Sequence, residues 1–118
     1  MELIDLLVNA AWRRDGLQVR SLAQDIVRAY PKIATIPRPQ TADLYALAMA
    51  AALAELLALR RGQVAPRWTN EVGASPESFF LLEAAQSMRN LRHLCETESP
   101  EPLRKRQLYA PPDFLSFV

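Results

Sequence analysis

Residues 42–61 read ADLYALAMAAALAELLALRR, and Gly62 follows. Alanine and leucine are strong helix formers, no proline or glycine interrupts the run, and apolar side chains fall on nearly every side of the helix. Thr41 is expected to cap its start, with Asp43 early in the first turn, and Gly62 to end it. A helix apolar almost all round is a buried one, so this segment is expected at the middle of the domain, its alanines letting neighbours pack closely. The apolar run before Arg60 falls short of the roughly 18 residues a membrane span needs, and Asp43 and Glu55 interrupt it; no membrane role is expected. Glu55 needs either a surface edge or an arginine partner, and the edge is the expectation.

The flanking segments are read outward from that helix. Residues 2–14 carry Leu3, Leu6, Leu7, Ala10 and Ala11 at helical spacing, with Asp15-Gly16 as the stop. Leu17 to Tyr30 reads as a second helix, with Leu22, Ile26 and Ala29 on one face, Val19 and Ala23 beside it, and Pro31 ending it. PKIATIPRPQ, Pro31 to Gln40, is an extended linker that Ile33 and Ile36 anchor. Beyond Gly62, Trp68 plugs a gap in the core and PRWTNEVG forms a short helical turn. Ser75-Pro76-Glu77 reads as a helix start, carrying Phe79 to Leu82 and LLEAAQ before a continuation or a break near Ser87. Met88, Leu91, Leu94 and Cys95 mark one face of the next helix. Pro100 and Pro102 interrupt, and EPLRKRQ makes one more short turn. No alternation of period two is long enough for a substantial sheet. The fold class is therefore all-α: a compact single-domain bundle of about five helices around the Ala/Leu helix. Residues 1–107 form the helical domain and residues 108–118 an extended C-terminal tail.

Length, charge and reactive residues narrow the function. A chain of 118 residues suits one domain. Its formal net charge of +1 argues against general electrostatic capture of nucleic acid, leaving room for a local patch. One cysteine, Cys95, forms no internal disulfide and suits a reducing cytoplasm. The start MELIDLLVNAAWRR places acids before its apolar stretch, the reverse of a secretory leader. His93 and Cys95 are two apart and point in different directions on a helix, so they do not form a base and nucleophile. The lone cysteine and histidine make no zinc set, and the isolated glycines make no phosphate loop. No catalytic residue, cofactor or metal is expected, and the protein is not expected to be an enzyme.

The C-terminal segment RKRQLYAPPDFLSFV is the strongest functional lead. Arg104, Lys105 and Arg106 suit acidic partners. The prolines Pro111 and Pro112 restrict the tail, which lowers the entropy lost on docking. Tyr109, Phe114, Leu115 and Phe117 are the residue types that anchor interfaces. The tail either folds back on its own domain or docks on another chain, and an exchange between two copies of a homo-oligomer satisfies both. A helical hairpin, RRDGLQVRSLAQDIVRAYPK, presents Arg20, Gln24 and Arg28 in the manner of a helix-turn-helix, which makes a small DNA-binding regulator the alternative.

The strings RWTNEVGASPESFFLL, SMRNLRHLCETESPEPLRKR and YAPPDFLSFV resemble a group of small bacterial proteins, mostly from high-GC genomes, of the antitoxin-like or accessory kind encoded beside a nucleotidyltransferase-type partner. The resemblance covers roughly the C-terminal half and implies a protein-binding role with no catalytic residue. The leading expectation is a non-enzymatic interaction protein, an antitoxin or adaptor. A helical face and the tail meet a protein partner, Phe114 and Phe117 fill pockets, and Arg104 and Arg106 pair with acids at the rim. On this reading, removing Leu108 to Val118 abolishes binding and leaves helicity intact.

Overall fold

The structure, a computed structural model, describes residues 2–118. Its α-helices are α1 (Leu3–Trp12), α2 (Gly16–Ala29), α3 (Leu44–Arg61), α4 (Arg89–Glu98) and α5 (Glu101–Arg104). Short 3-10 turns lie at Ile33–Thr35, Arg67–Glu71 and Glu83–Gln86, and two-residue strands at β1 (Phe79–Phe80) and β2 (Leu108–Tyr109). The molecule is compact and mostly helical, as an all-α fold requires.

The Ala/Leu stretch forms the longest helix, α3. Its cap is Asp43, not the expected Thr41: Asp43 Oδ1 accepts from Tyr45 N at 2.9 Å, while Thr41 Oγ1 accepts from Asp43 N at 3.1 Å and orients the cap. At the other end Gly62 takes φ 64°. Gln63 N donates to Ala58 O at 2.8 Å and Gly62 N to Leu59 O at 3.2 Å, the paired bonds of a Schellman close. Eleven of its 18 residues are buried, from Leu47 to Ala58. They lie on all sides of the helix, and α3 packs against α1, α5 and the turns at Ile33–Thr35 and Arg67–Glu71.

The α1–α2 corner departs from the expected Asp15-Gly16 stop. Arg14 takes the left-handed conformation, φ 55°, with Arg14 N bonded to Ala11 O and Asp15 N to Ala10 O, both at 3.0 Å. Gly16 is already the first residue of α2, because Asp15 Oδ1 accepts from Gln18 N and starts the helix there. A left-handed non-glycine residue costs about 1–2 kcal/mol. The Arg14 side chain offsets this: Nε donates to Phe80 O at 2.7 Å, and Cζ lies 4.3 Å from the Phe79 ring centroid. α2 turns Val19, Ala23 and Ile26 inward, so the buried face keeps Ile26 but shifts from Leu22 and Ala29 to Val19 and Ala23, the residues expected beside it.

The linker after α2 is anchored by Ile33 and Ile36, both buried. Gln63 clamps it, accepting from Ile33 N at 2.8 Å and donating to Pro31 O at 3.0 Å. Trp68 packs against the core and donates its indole N–H to Ile36 O at 2.8 Å.

Two expectations are corrected by long-range contacts. The helix expected from Ser75 through Gln86 does not form. Phe79 N donates to Gln107 O at 3.0 Å and Leu81 N to Tyr109 O at 2.8 Å, so β1 pairs in parallel with β2, Phe79 opposite Leu108. Strand geometry sends successive side chains to opposite faces. Phe79 meets Trp12 at 4.3 Å between centroids, and Phe80 meets Tyr109 at 5.2 Å. Glu55 is the second correction. Its side chain is only 10% exposed and bonds the fork of Arg106, Nη1 to Oε1 at 2.7 Å and Nη2 to Oε2 at 3.1 Å. Lys105 Nζ adds a contact at 2.9 Å. A carboxylate on the buried part of α3 is tenable only because that partner reaches it.

Breaking this pair is expected to be costly, since a buried charge is left without its partner. Arg106→Met should lower unfolding free energy by about 3 kcal/mol, read by chemical denaturation. Burial opposes ionisation of Glu55, but hydrogen bonds from Arg106 and Lys105 outweigh it and hold its pKa below the ordinary value. Such a group stabilises the fold above its unfolded-state pKa and loses that contribution as pH falls through the native one. The stability gap between wild type and Glu55→Gln is therefore expected to narrow on acidification below about pH 4.5.

Candidate functional site

The tail begins where the Arg106–Glu55 junction ends. Gln107 is left-handed, φ 63°, and donates Nε2 to Ser75 O at 3.1 Å, which turns the chain from α5 into β2. Ser99, buried at the end of α4, stitches the next step: its Oγ accepts from Ala110 N at 2.9 Å and lies within hydrogen-bonding reach of Cys95 O and Ala110 O. After Ala110 the backbone does not stay extended, as expected of a proline-containing tail, but turns repeatedly from Pro112 to Phe117. Arg60, in the last turn of α3, gathers the turn: Nη2 donates to Pro112 O at 2.7 Å and Phe114 O at 2.8 Å, and Nε to Phe114 O at 3.1 Å. Leu115 sits at the bend, φ 58°.

These contacts sort the residues singled out for partner binding. Arg106 is 3% exposed and also donates to Pro102 O and Thr69 O, so its guanidinium faces the interior and not an acidic rim. Leu115 is buried in the core. Both are corrections: Arg106 turns inward to its Glu55 partner, and Leu115 enters the core because the tail returns to its own domain. Lys105 is half-exposed but already meets Glu55. Arg104 is exposed, with Nη1 donating to Thr97 O at 3.0 Å. Tyr109 and Phe114 are half-buried. Phe117 remains 38% exposed.

Phe117 does not stand alone. Arg20 on α2 places Cζ 4.7 Å from its ring centroid, and Leu17, one turn earlier on the same helix side, is 85% exposed. The tail and α2 thus meet at Arg20 and Phe117, and the i, i+3 spacing puts Leu17 next to Arg20 on the helix surface. From the sequence Arg20 is expected only in a possible DNA-reading helix, while Leu17 and Arg14 have helix positions and no functional role. The available signal was Leu17 itself, a large apolar residue immediately after a capped helix start. Arg28 pairs with Asp25 at 3.6 Å.

A second apolar feature is α4. Cys95 is its one buried helical residue, whereas Met88 and Leu94 are 56% and 40% exposed. The expected apolar face exists, yet the domain covers only part of it. Arg92 links this helix to β1, with Cζ 5.0 Å from the Phe80 centroid.

Reactive groups are disposed as follows. Burial raises the Cys95 thiol pKa, and Glu96 adds to the shift; His93 is exposed. Among the described residues no cluster of three or more His, Cys, Asp or Glu is placed to hold a metal ion. A cleft of about 620 Å³ is lined by Glu2, Asp5, Arg38 and Asp43 among others. Two of those carboxylates serve helix starts: Asp5 Oδ2 accepts from Glu2 N at 3.1 Å, and Asp43 caps α3. Among the described residues no helix is long and apolar enough to cross a membrane.

The fold and the patch define a small all-α protein with an aromatic–cationic surface. Comparison with protein-family models, curated proteins and solved structures returns no match, so the functional reading rests on the geometry above.

The buried, high-pKa thiol carries a direct expectation. Iodoacetamide should alkylate Cys95 in the native chain slower than in guanidinium by a factor on the order of 100 or more, followed by mass spectrometry.

Proposed function

We propose that this chain is a non-enzymatic protein-interaction protein, an antitoxin or adaptor acting in the bacterial cytoplasm. In this reading α3 is the central helix, and a helical face of α2 together with the C-terminal tail forms the binding surface. The observation that carries it is the patch itself: Phe117 stacked by Arg20, with the exposed Leu17 three residues before Arg20 on α2. Exposed aromatic and aliphatic groups next to an arginine are the residue types that dominate interface energies. The stacking also supports the reading because it holds the guanidinium in place before any partner arrives, so less rotamer freedom is lost on association. Because Arg106 and Leu115 serve the interior, the anchors assigned here are Leu17, Arg20 and Phe117, with Phe114 at their edge.

The regulator reading, in which α2 enters a DNA groove, asks Arg20 and Arg28 to face phosphates or bases. Arg20 lies on a phenyl ring and Arg28 beside Asp25, and this favours a protein partner.

The surface is tested with the tagged full-length chain expressed in cells that carry its gene. Native protein should capture a defined partner in stoichiometric amount. The double variant Leu17→Asp, Phe117→Ser should lose at least about 90% of that capture, because two anchors are removed, with its far-UV spectrum unchanged. Capture retained by a folded double variant, or absent from the native chain, would refute the proposal. Deleting residues 108–118 is not the clean experiment the sequence suggested. Leu108, Ala110 and Leu115 belong to the core, so that deletion is expected to unfold the chain, visible as lost helical ellipticity.

A further inference from the structure

Beside Arg20 and Phe117 lies a crevice of about 90 Å³, between the α1–α2 corner and the tail. Its floor is apolar: Val19, Leu81 and Leu115 are each no more than 5% exposed. Arg14, Arg20 and Phe117 stand at its edge, and no acidic residue lines it. Both arginines are held by rings, Arg14 on Phe79 at 4.3 Å and Arg20 on Phe117 at 4.7 Å. Among the described residues neither forms an ion pair. Arg14 spends only Nε, on Phe80 O. The terminal N–H groups of Arg14 and the whole donor set of Arg20 are left for an incoming acceptor. Gly16, the first residue of α2, also borders the crevice; the helix end beside it is capped by the Asp15 carboxylate, so the positive charge at the crevice comes from the two arginines.

We infer that this crevice is the docking point for an acidic peptide segment of a partner protein, which inserts one aliphatic side chain and sets a carboxylate against the arginines. The inference rests on the protein-interaction reading above and specifies the partner's chemistry. The apolar floor of the crevice, about 90 Å³, offers room for one apolar side chain. Charge selects the flanks. Two oriented guanidiniums with unused donors pair with carboxylates through charge-assisted, bidentate bonds, and they repel a basic peptide.

The probe is acetyl-Glu-Asp-Leu-Asp-Glu-amide, titrated into the ¹⁵N-labelled full chain and followed by NMR. Saturable shifts are expected at the amides of Gly16, Val19 and Leu82 and at Arg20 Nε–H. Replacing the peptide leucine by serine, or its acids by lysine, should each weaken binding at least about tenfold, the worth of one charge-assisted bond or one buried aliphatic group. Arg20→Glu should do the same with an otherwise undisturbed spectrum, and Arg20→Gln should lose less than Arg20→Glu. No shift at millimolar peptide, shifts centred elsewhere, or equal binding of the lysine or serine peptide would overturn the inference. If a partner is captured through Leu17 and Phe117 while the peptide leaves the crevice silent, the crevice assignment alone fails and the interaction reading stands.

Discussion

One guanidinium joins most of what the chain places. Arg106 reaches Glu55 on α3, the Thr69 carbonyl in the turn at Arg67–Glu71, and the Pro102 carbonyl in α5. Desolvation of the two ions offsets much of their attraction, so the pair matters chiefly as placement. Its backbone continues the work. Arg106 O accepts from Ser75 N and Gln107 O from Phe79 N, both at 3.0 Å. The parallel ladder therefore starts from the residue whose side chain is locked to α3. Where β2 begins sets where the tail runs, and the tail places Phe117 beside α2.

Three arginines lie over phenyl rings: Arg14 on Phe79, Arg92 on Phe80 and Arg20 on Phe117. At exposed sites each such contact contributes roughly 0.5–1 kcal/mol, too little to hold a fold but enough to fix the direction of a flexible side chain. They do something composition alone conceals. With a net charge of +1 the chain is nearly neutral overall, yet Arg14 and Arg20 at the α1–α2 corner are oriented by phenyl rings and form no ion pair among the described residues. The cationic triplet 104–106, which looks like the obvious basic patch, is instead largely committed within the molecule.

Most helices were legible because the features that make them are local. Ala/Leu content, Asp and Gly at the ends, and prolines between segments act over a few residues, and α1, α2 and α3 begin and end within a residue or two of expectation. The failure at Ser75-Pro76-Glu77 has the opposite origin. Its cap signal is genuine, but Phe79 and Leu81 gain hydrogen bonds from carbonyls at positions 107 and 109 that no local rule can see. Glu55 misled in the same way: its partner is 51 residues away.

By itself the sequence determined the mostly helical class, the extents of α1, α2 and α3 and the apolar character of residues 47–58, because propensity, capping and hydrophobic periodicity are properties of neighbouring residues. It also marked the C-terminal segment as rich in anchoring groups. Only the tertiary structure decided which of those groups are anchors for a partner and which belong to the core. That division depends on Arg60 bending the tail, on Arg106 turning inward to Glu55, and on α2 arriving with Arg20 against Phe117. Each joins residues more than 50 positions apart, and such distances are closed only when the whole chain packs.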